Sequence, residues 1–326
     1  MSIKESLLEL FENNRGRFVS GNEIAEEFDV SRTAVWKTVK SLINDGHRIE
    51  AAGSKGYRML QANEVMSKSG IVKYLQGGKE RFCFEIYDTV GSTNDVLKEK
   101  ALTGAEEGTV VIASAQTQGK GRMGRPFLSP DGTGVYFSVL LRPKLPLEEV
   151  TLITAAAAVA VCRAVDRIAE VGAGIKWVND IFVDGKKCAG ILTEASFGGE
   201  SGALDYVVLG IGSNLYAPEE GFPKEIADTA GAFFKTEVED CRNRIIAFIL
   251  EEFFYIYDDF KNKDFVKEYI KRSIVMGKEI LITGPGGKQR FAEVMGIDPY
   301  CRLEVMMEDG SVEFLNSGEI SIRTAR

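Results

Sequence analysis

The run Gln118-Gly-Lys-Gly-Arg-Met-Gly-Arg125 packs three glycines and three cations into a short loop, and the two prolines just beyond it constrain the fold most. Gly119, Gly121 and Gly124 satisfy Gly-x-Gly-x-x-Gly. A dinucleotide turn of that pattern needs a strand before it and a helix directly after it, because the pyrophosphate rests on the helix N-terminus. Thr109 to Ala113 reads as a strand, but Arg125-Pro-Phe-Leu-Ser-Pro130 sets two prolines where the helix would begin, and Asp131-Gly-Thr-Gly134 then reads as a turn. A doubly wound dinucleotide fold is rejected, and the chain has no Gly-x-x-x-x-Gly-Lys-Ser/Thr phosphate loop. There remains a loop whose backbone N–H groups can approach a ligand closely while Lys120, Arg122 and Arg125 neutralise phosphate or carboxylate. Together with Lys176-Trp-Val-Asn-Asp180 it points to chemistry on an acyl phosphate. The competing reading is a solvated basic surface loop.

At 326 residues the chain can hold two or three domains. Its most apolar stretch, Leu152 to Val161, is too short to cross a bilayer and lacks signal-peptide features. It is expected to be a buried helix, with no membrane association. The five cysteines are scattered and never spaced as metal pairs, so a reducing cytoplasm and no structural zinc are expected. A net charge of −8 argues against a general nucleic-acid coat, so any DNA binding must be local. The single histidine, His47, lies far in sequence from the glycine-rich loop, which excludes histidine acid-base or Ser-His catalysis in the main domain.

Residues 1–62 read as a DNA-binding module. Ser2-x-x-Glu5 and Ser20-x-x-Glu23 are capping boxes before apolar helical patterns, and Ser31 opens a third helix after an Asp29-Val30 turn. That helix is expected to bury Val35, Val39, Leu42 and Ile43 and to present Arg32, Thr33, Trp36, Lys37 and Lys40. Helix, tight turn and basic second helix is helix-turn-helix geometry, which sets N-terminal residues of the second helix at base edges. Arg48 to Ala52 and Gly56 to Leu60, joined by Gly53-Ser54-Lys55, read as a wing whose Lys55 can meet phosphate. Ser31, Arg32, Thr33, Trp36, Lys37 and Lys55 are the candidate DNA contacts. Nine cations against nine acids in residues 1–60 give no strong field, so affinity would require dimerisation on a two-part site. A small helical docking domain is the alternative, and Trp36 could equally be core.

The polar residues 63–69 read as a linker, residues 70–272 as the main domain and 273–326 as a small C-terminal domain. Strand-like runs from Phe82 to Ile211 pair as hairpins and alternate with helical stretches Asn94 to Thr103, Leu147 to Ala169 and Cys241 to Arg272. The expectation is an α+β multidomain chain: a winged helix-turn-helix, a mixed, largely antiparallel sheet flanked by helices, and a small SH3-like β-barrel formed by the short strands after Gly277.

Seven segments in order resemble the bifunctional biotin protein ligases that double as biotin operon repressors: the winged helix with Gly56-Tyr57, Gly91-Ser-Thr-Asn94, Gln116 to Arg125, Lys176 to Asp180, Lys186 to Glu194, Gly210-Ile-Gly-Ser-Asn214 and Gly318 to Arg323. The resemblance covers nearly the whole chain. It implies that Ser92, Thr93 and Gln116 bond the ureido head of biotin, with Asn94 beside them. It further implies that Lys120, Gly121 and Arg122 close over the carboxylate and later the adenylate. Lys187 would contact the reacting carboxylate and phosphate, and Arg125, Lys176, Asn179, Asp180 and Asn214 would serve ATP, with Asp180 holding Mg²⁺. Lys187, Arg122 and Asp180 are thus the candidate catalytic residues. The implied partners are a biotin carboxyl carrier protein of acetyl-CoA carboxylase or another biotin-dependent carboxylase, operator DNA, and a second copy of the chain in a ligand-induced homodimer. Val178 stands where the family has proline and Cys301 where it has glycine, which should loosen a turn and alter a β-bend. Asn214 could merely cap a turn, Trp177 could be core, and Cys188 is expected to be a buried strand residue. Two further readings remain: a catalytically silent, ligand-sensing repressor, and an acyl ligase for lipoate, since related folds share the adenylation logic.

Overall fold

The computed structural model describes residues 2–146, 149–198, 203–284, 287–316 and 318–322. Arg323, which closes the last of the seven segments, and Leu147, the expected start of a helix, lie outside them. The chain divides into two compact units, one comprising residues 1–80 and 236–248, the other 81–235 and 249–326.

In the first unit three helices, α1 (Ile3–Asn13), α2 (Gly21–Glu27) and α3 (Arg32–Asn44), precede a two-stranded antiparallel wing of β1 (Ile49–Ala52) and β2 (Gly56–Met59). The serine caps form as the sequence predicts: the Glu5 N–H donates to Ser2 Oγ, the Ser2 N–H to Glu5 Oε2, and the Ala34 N–H to Ser31 Oγ. Leu7, Phe11, Ile24, Val35, Val39, Leu42 and Met59 make one core. Ile43, expected inside, is exposed. It stands at the edge of the stripe formed by Val35, Val39 and Leu42, which the core of this unit covers only as far as Leu42.

The segment 63–69, read as a linker, packs within this unit. Asn63 and Ser67 are buried, and Ser67 caps a short helix, α4 (Lys68–Val72). Beside it lies a buried charge cluster. Glu12 accepts from Arg15 and Lys73, both at 2.7 Å, while Asp240 sits 3.0 Å from Arg15 and 2.8 Å from Lys73. Two carboxylates and two cations balance, as burial of charge demands. His47 is buried against Asn63 in the same unit, and burial pushes its pKa down.

The second unit is built on a seven-stranded sheet in the order β3-β4-β5-β9-β8-β7-β6. Its strands are β3 (Cys83–Val90), β4 (Thr109–Gln116), β5 (Gly134–Leu141), β6 (Gly174–Lys176), β7 (Asp180–Val183), β8 (Lys186–Gly198) and β9 (Ala203–Asn214). The β3 and β4 strands run parallel and every other neighbouring pair is antiparallel, so the mixed sheet expected from hairpin-like pairs is present. The parallel pair is joined by a crossover through α5 (Thr93–Leu102), as parallel strands require. The Ala-rich α6 (Val150–Asp166) is almost wholly buried, as its composition predicts. Among the described residues no helix is long and apolar enough to cross a membrane.

One helix expected over Cys241 to Arg272 is instead two, α7 (Cys241–Asp258) and α8 (Phe265–Arg272), separated by a 3-10 turn at Phe260–Asn262. The Asn262 amide donates to the Asp259 carboxylate, Lys263 adopts a left-handed φ of 51°, and the Phe260 ring is buried, so local side-chain bonding ends the helix. The C-terminal strands β10 (Glu279–Thr283), β11 (Gln289–Ile297), β12 (Leu303–Met307), β13 (Val312–Leu315) and β14 (Glu319–Ile322) form an antiparallel sheet in the order β13-β12-β11-β10-β14. Among the described residues β13 and β14 end that order.

The thiols of Cys162, Cys188, Cys241 and Cys301 are buried, whereas that of Cys83 is exposed. Burial pushes the thiols of Cys162, Cys188 and Cys301 up to about 12. Cys188 is therefore the buried strand residue expected rather than a nucleophile.

Candidate active site

A cleft of about 190 Å³ opens in the second unit and gathers nearly all of the predicted ligand-binding residues. Its walls include Ser92, Thr93 and Asn94 at the start of α5, Gln116 at the end of β4, and Lys120, Gly121, Arg122 and Arg125 from the glycine-rich loop. Lys176, Asn179 and Asp180 come from the β6–β7 turn and Lys187 from β8. Asn214 is not part of the wall. It ends β9, and its side-chain amide donates to Gly231 O at 3.0 Å, 17 residues further along the chain.

One end of the cleft is densely hydrogen-bonded. Gln116 Oε1 accepts from the Thr93 N–H at 2.9 Å and lies 3.2 Å from Thr93 Oγ1, while Gln116 Nε2 donates to Ser129 Oγ at 2.9 Å. Ser138, fully buried on β5, is 2.7 Å from Thr93 Oγ1 and 2.6 Å from Asn94 Oδ1. Each amide or hydroxyl is held at a fixed angle by a partner behind it, which lowers the cost of ordering these groups around a polar ligand.

The floor is bare backbone. Gly210 and Gly212 point the same way along β9; a Cβ at Gly210 would lie 2.1 Å from Asn94 Oδ1, and one at Gly212 would lie 2.5 Å from the Phe127 ring. Phe127 is thus the aromatic wall of the cleft, packing edge-on against Tyr136.

At the charged end Lys187 Nζ lies 2.7 Å from Asp180 Oδ1 and 6.0 Å from the centre of the Phe127 ring. The approach to Asp180 is a charge contact rather than an aligned hydrogen bond, and that buried oxygen has no hydrogen-bond partner among the described residues. A bulge aims the lysine. Ile181 pairs with Ala189 and Phe182 with Lys187, so Cys188 is the extra residue that turns Lys187 toward the cleft. Arg122 donates to Asn179 Oδ1 at 3.2 Å and Asn179 Nδ2 to Ile191 O at 2.9 Å, tying the glycine-rich loop to the β6–β7 turn.

Two side-chain hydrogen bonds meet that turn, where the sequence has Val178. Its Trp177–Val178 peptide is cis, the buried Trp177 indole N–H donates to Cys301 O at 2.8 Å, and the Tyr269 hydroxyl donates to Val178 O at 3.0 Å. Cys301 takes a left-handed φ of 55°, the conformation for which glycine was expected.

In the first unit Ser31, Arg32, Thr33, Trp36, Lys37 and Lys55 are all exposed. Trp36, which could have been core, is 51% exposed and lies under Lys40 Nζ at 5.3 Å. Arg32, Thr33 and Trp36 line one depression with Gly53 and Ser54 of the wing.

Sequence reasoning named Gly210 and Gly212 only within a resembling segment, without a part in the cleft, and passed over Ser138, which bonds the cleft residues Thr93 and Asn94. The signals were present: one serine in an otherwise apolar, fully buried strand, and two glycines at a spacing of two, which places both on one face of a strand.

Residues 87–214 match the Biotin/lipoate A/B protein ligase family and residues 4–58 match an HTH domain. The chain is 36% identical over 265 residues to the bifunctional ligase/repressor BirA of Bacillus spizizenii, covering 81% of each protein. It is 25% identical over 315 residues to the bifunctional ligase/repressor BirA of Escherichia coli, covering 95% of this chain and 94% of that one. A biotin protein ligase from Aquifex aeolicus, solved in complex with biotin and ATP, superimposes with a TM-score of 0.63 at 28% identity, covering 74% of this chain and 99% of that one.

Proposed function

The chain belongs to the family of bifunctional biotin ligase/repressors, and from that premise we propose that it joins biotin to ATP as biotinyl-5'-AMP, transfers the biotin to a lysine of a biotin carboxyl carrier protein, and represses transcription at operator DNA. The observation that carries this reading is one cleft with a neutral hydrogen-bonding end at Thr93 and Gln116 and a cationic end at Arg122 and Lys187.

That polarity suits the reaction. A biotin carboxylate oxygen attacks the α-phosphorus of ATP and pyrophosphate departs, so two mutually repelling anions must meet and charge grows on the phosphate oxygens. Lys187 and Arg122 offset that repulsion at the point of contact. Preorganised donors at such positions contribute about 3–4 kcal/mol each, and holding both reactants in line contributes roughly 7–11 kcal/mol more. Arg125, Lys176 and Asn179 line the nucleotide end. Mg²⁺, when bound, neutralises the phosphates, and it is commonly held by one or two carboxylates plus substrate oxygens. Asp180, with a buried oxygen lacking an aligned partner among the described residues, fits that demand. The buried thiols suit a reducing cytoplasm.

The deciding experiment mixes the purified protein with ATP, Mg²⁺ and either biotin or lipoate and measures pyrophosphate release. Biotin-dependent release is expected. Release with lipoate alone would identify a lipoate-type ligase, and silence with both a sensor without catalysis.

For the DNA module, Lys37→Ala should weaken operator binding evenly across sequences and reduce the salt slope by about one, whereas Arg32→Ala should relax preference at one base pair by about 1–3 kcal/mol. Gel-shift titration at two salt concentrations separates these outcomes, and equal effects of both variants on every sequence would leave Arg32 on the phosphates. A single module with balanced charge needs a partner copy for affinity, so biotinyl-5'-AMP is expected to favour a homodimer. Sedimentation velocity should then show a faster species with biotin and ATP than without, and identical profiles would remove ligand-linked pairing from the proposal.

A further inference from the structure

Two residues outside the expected site, Asp95 and Lys98, link the glycine-rich loop to the densely hydrogen-bonded end of the cleft. Lys120 Nζ lies 2.5 Å from Asp95 Oδ2 and 2.7 Å from Oδ1. Asp95 Oδ1 is also 3.4 Å from Lys98 Nζ, which donates to Glu194 Oε1 at 2.6 Å. Glu194 Oε2 accepts from Asn94 Nδ2 at 2.7 Å, and Asn94 Oδ1 in turn meets Ser138 at 2.6 Å. The loop lysine is therefore joined through two carboxylates and Lys98 to the side chains that shape the cleft.

We propose that Asp95 is a positioning residue: its carboxylate holds Lys120 against the first turn of α5, so that the glycine-rich loop stays folded over the cleft and retains the activated intermediate. The inference rests on the adenylation reading above. Three features support it. The contact is made by the loop's own cation, one residue from Gly121 and two from Arg122 in the cleft wall. Asp95 stands two residues after Thr93, so the tie fixes the loop to the element that carries the head-group contacts. The four charges Asp95, Glu194, Lys98 and Lys120 balance, and neutralising Asp95 would leave Lys98 on Glu194 while removing the carboxylate that holds Lys120. Although burial raises its pKa, Lys120 and then Lys98 hold the Asp95 carboxyl below its usual range, so it is ionised near neutral pH.

The loop has a second tie, from Arg122 to Asn179, so losing the first should loosen it rather than release it. Both Asp95 and Lys120 side chains are more than a third exposed, and pairs of that kind have modest, salt-sensitive strength.

The test compares wild type with Asp95→Asn and Asp95→Glu in the full-length protein given biotin, ATP and Mg²⁺. Pyrophosphate release reports adenylation, and the fraction of biotinyl-5'-AMP passing an ultrafilter reports retention. For Asp95→Asn the biotin KM and the rate of adenylate escape should each rise about three- to fivefold at low salt, with kcat for adenylation changed less than about twofold. Asp95→Glu should recover at least half of the difference, and raising the salt should bring wild type toward Asp95→Asn. Retention and KM equal to wild type at low salt would overturn the proposal, as would Asp95→Glu leaking as much as Asp95→Asn. A fall in kcat with KM unchanged would also overturn it, because Asp95 would then act on the chemistry. If wild type itself releases no pyrophosphate with biotin, the ligase reading fails before Asp95 is at issue.

Discussion

Lys187→Ala is expected to abolish adenylate formation, lowering biotin-dependent pyrophosphate release by about 10²–10³-fold or more. The bulge at Cys188 and the bond from the Lys187 N–H to Thr229 O at 2.7 Å fix where this side chain leaves the strand. Its ammonium is the cation in contact with Asp180. Without it the cleft would hold an uncompensated carboxylate just where two more anions must meet, so substrate affinity and the chemical step both suffer. The lysine is about a third exposed and supports no core, so the variant should fold, which circular dichroism would establish. Turnover equal to wild type would remove Lys187 from the reaction.

The second large effect is structural and confined to the first unit. Gly56 opens β2 with a φ of 94°, and a Cβ there would lie 2.1 Å from Val19 O and 2.7 Å from Ser20 Cα. Both are backbone atoms, so no side chain can turn aside. The wing is joined there to the chain before α2 by reciprocal bonds, from the Val19 N–H to Tyr57 O at 2.8 Å and from the Tyr57 N–H to Val19 O at 2.9 Å. Gly56→Ala must break this pairing or distort it, at about 3 kcal/mol or more, a large part of what stabilises a small module. Operator binding should be lost and an early unfolding transition should appear in calorimetry, while biotin-dependent pyrophosphate release stays near wild type. Unaltered DNA binding with an unshifted transition would contradict the close approach.

How much of this was readable in the sequence depends on the range over which each feature is determined. Ser2, Ser20 and Ser31 bond within three residues of themselves, so their caps could be read directly. Prolines 126 and 130 excluded the dinucleotide turn for an equally local reason. The break between α7 and α8 was missed because apolar residues recur on both sides, and only the Asn262 to Asp259 bond and the Phe260 anchor, a tertiary contact, end the helix.

The site obeys the same rule. Lys187, Arg122 and Asp180 stood in recognisable segments, whereas Asp95 and Lys98 matter through Lys120 and Glu194, which lie far along the chain. Ser138 was overlooked inside an apolar strand because its value lies in the residues it touches, 44 and 45 positions away.

The uneven exposure of the thiols has a practical consequence. A maleimide dye should attach at Cys83, on edge strand β3, while the four buried thiols resist it. The unaltered chain therefore offers a single attachment point for a fluorophore, in the unit that carries the cleft, without any cysteine having to be engineered in or out.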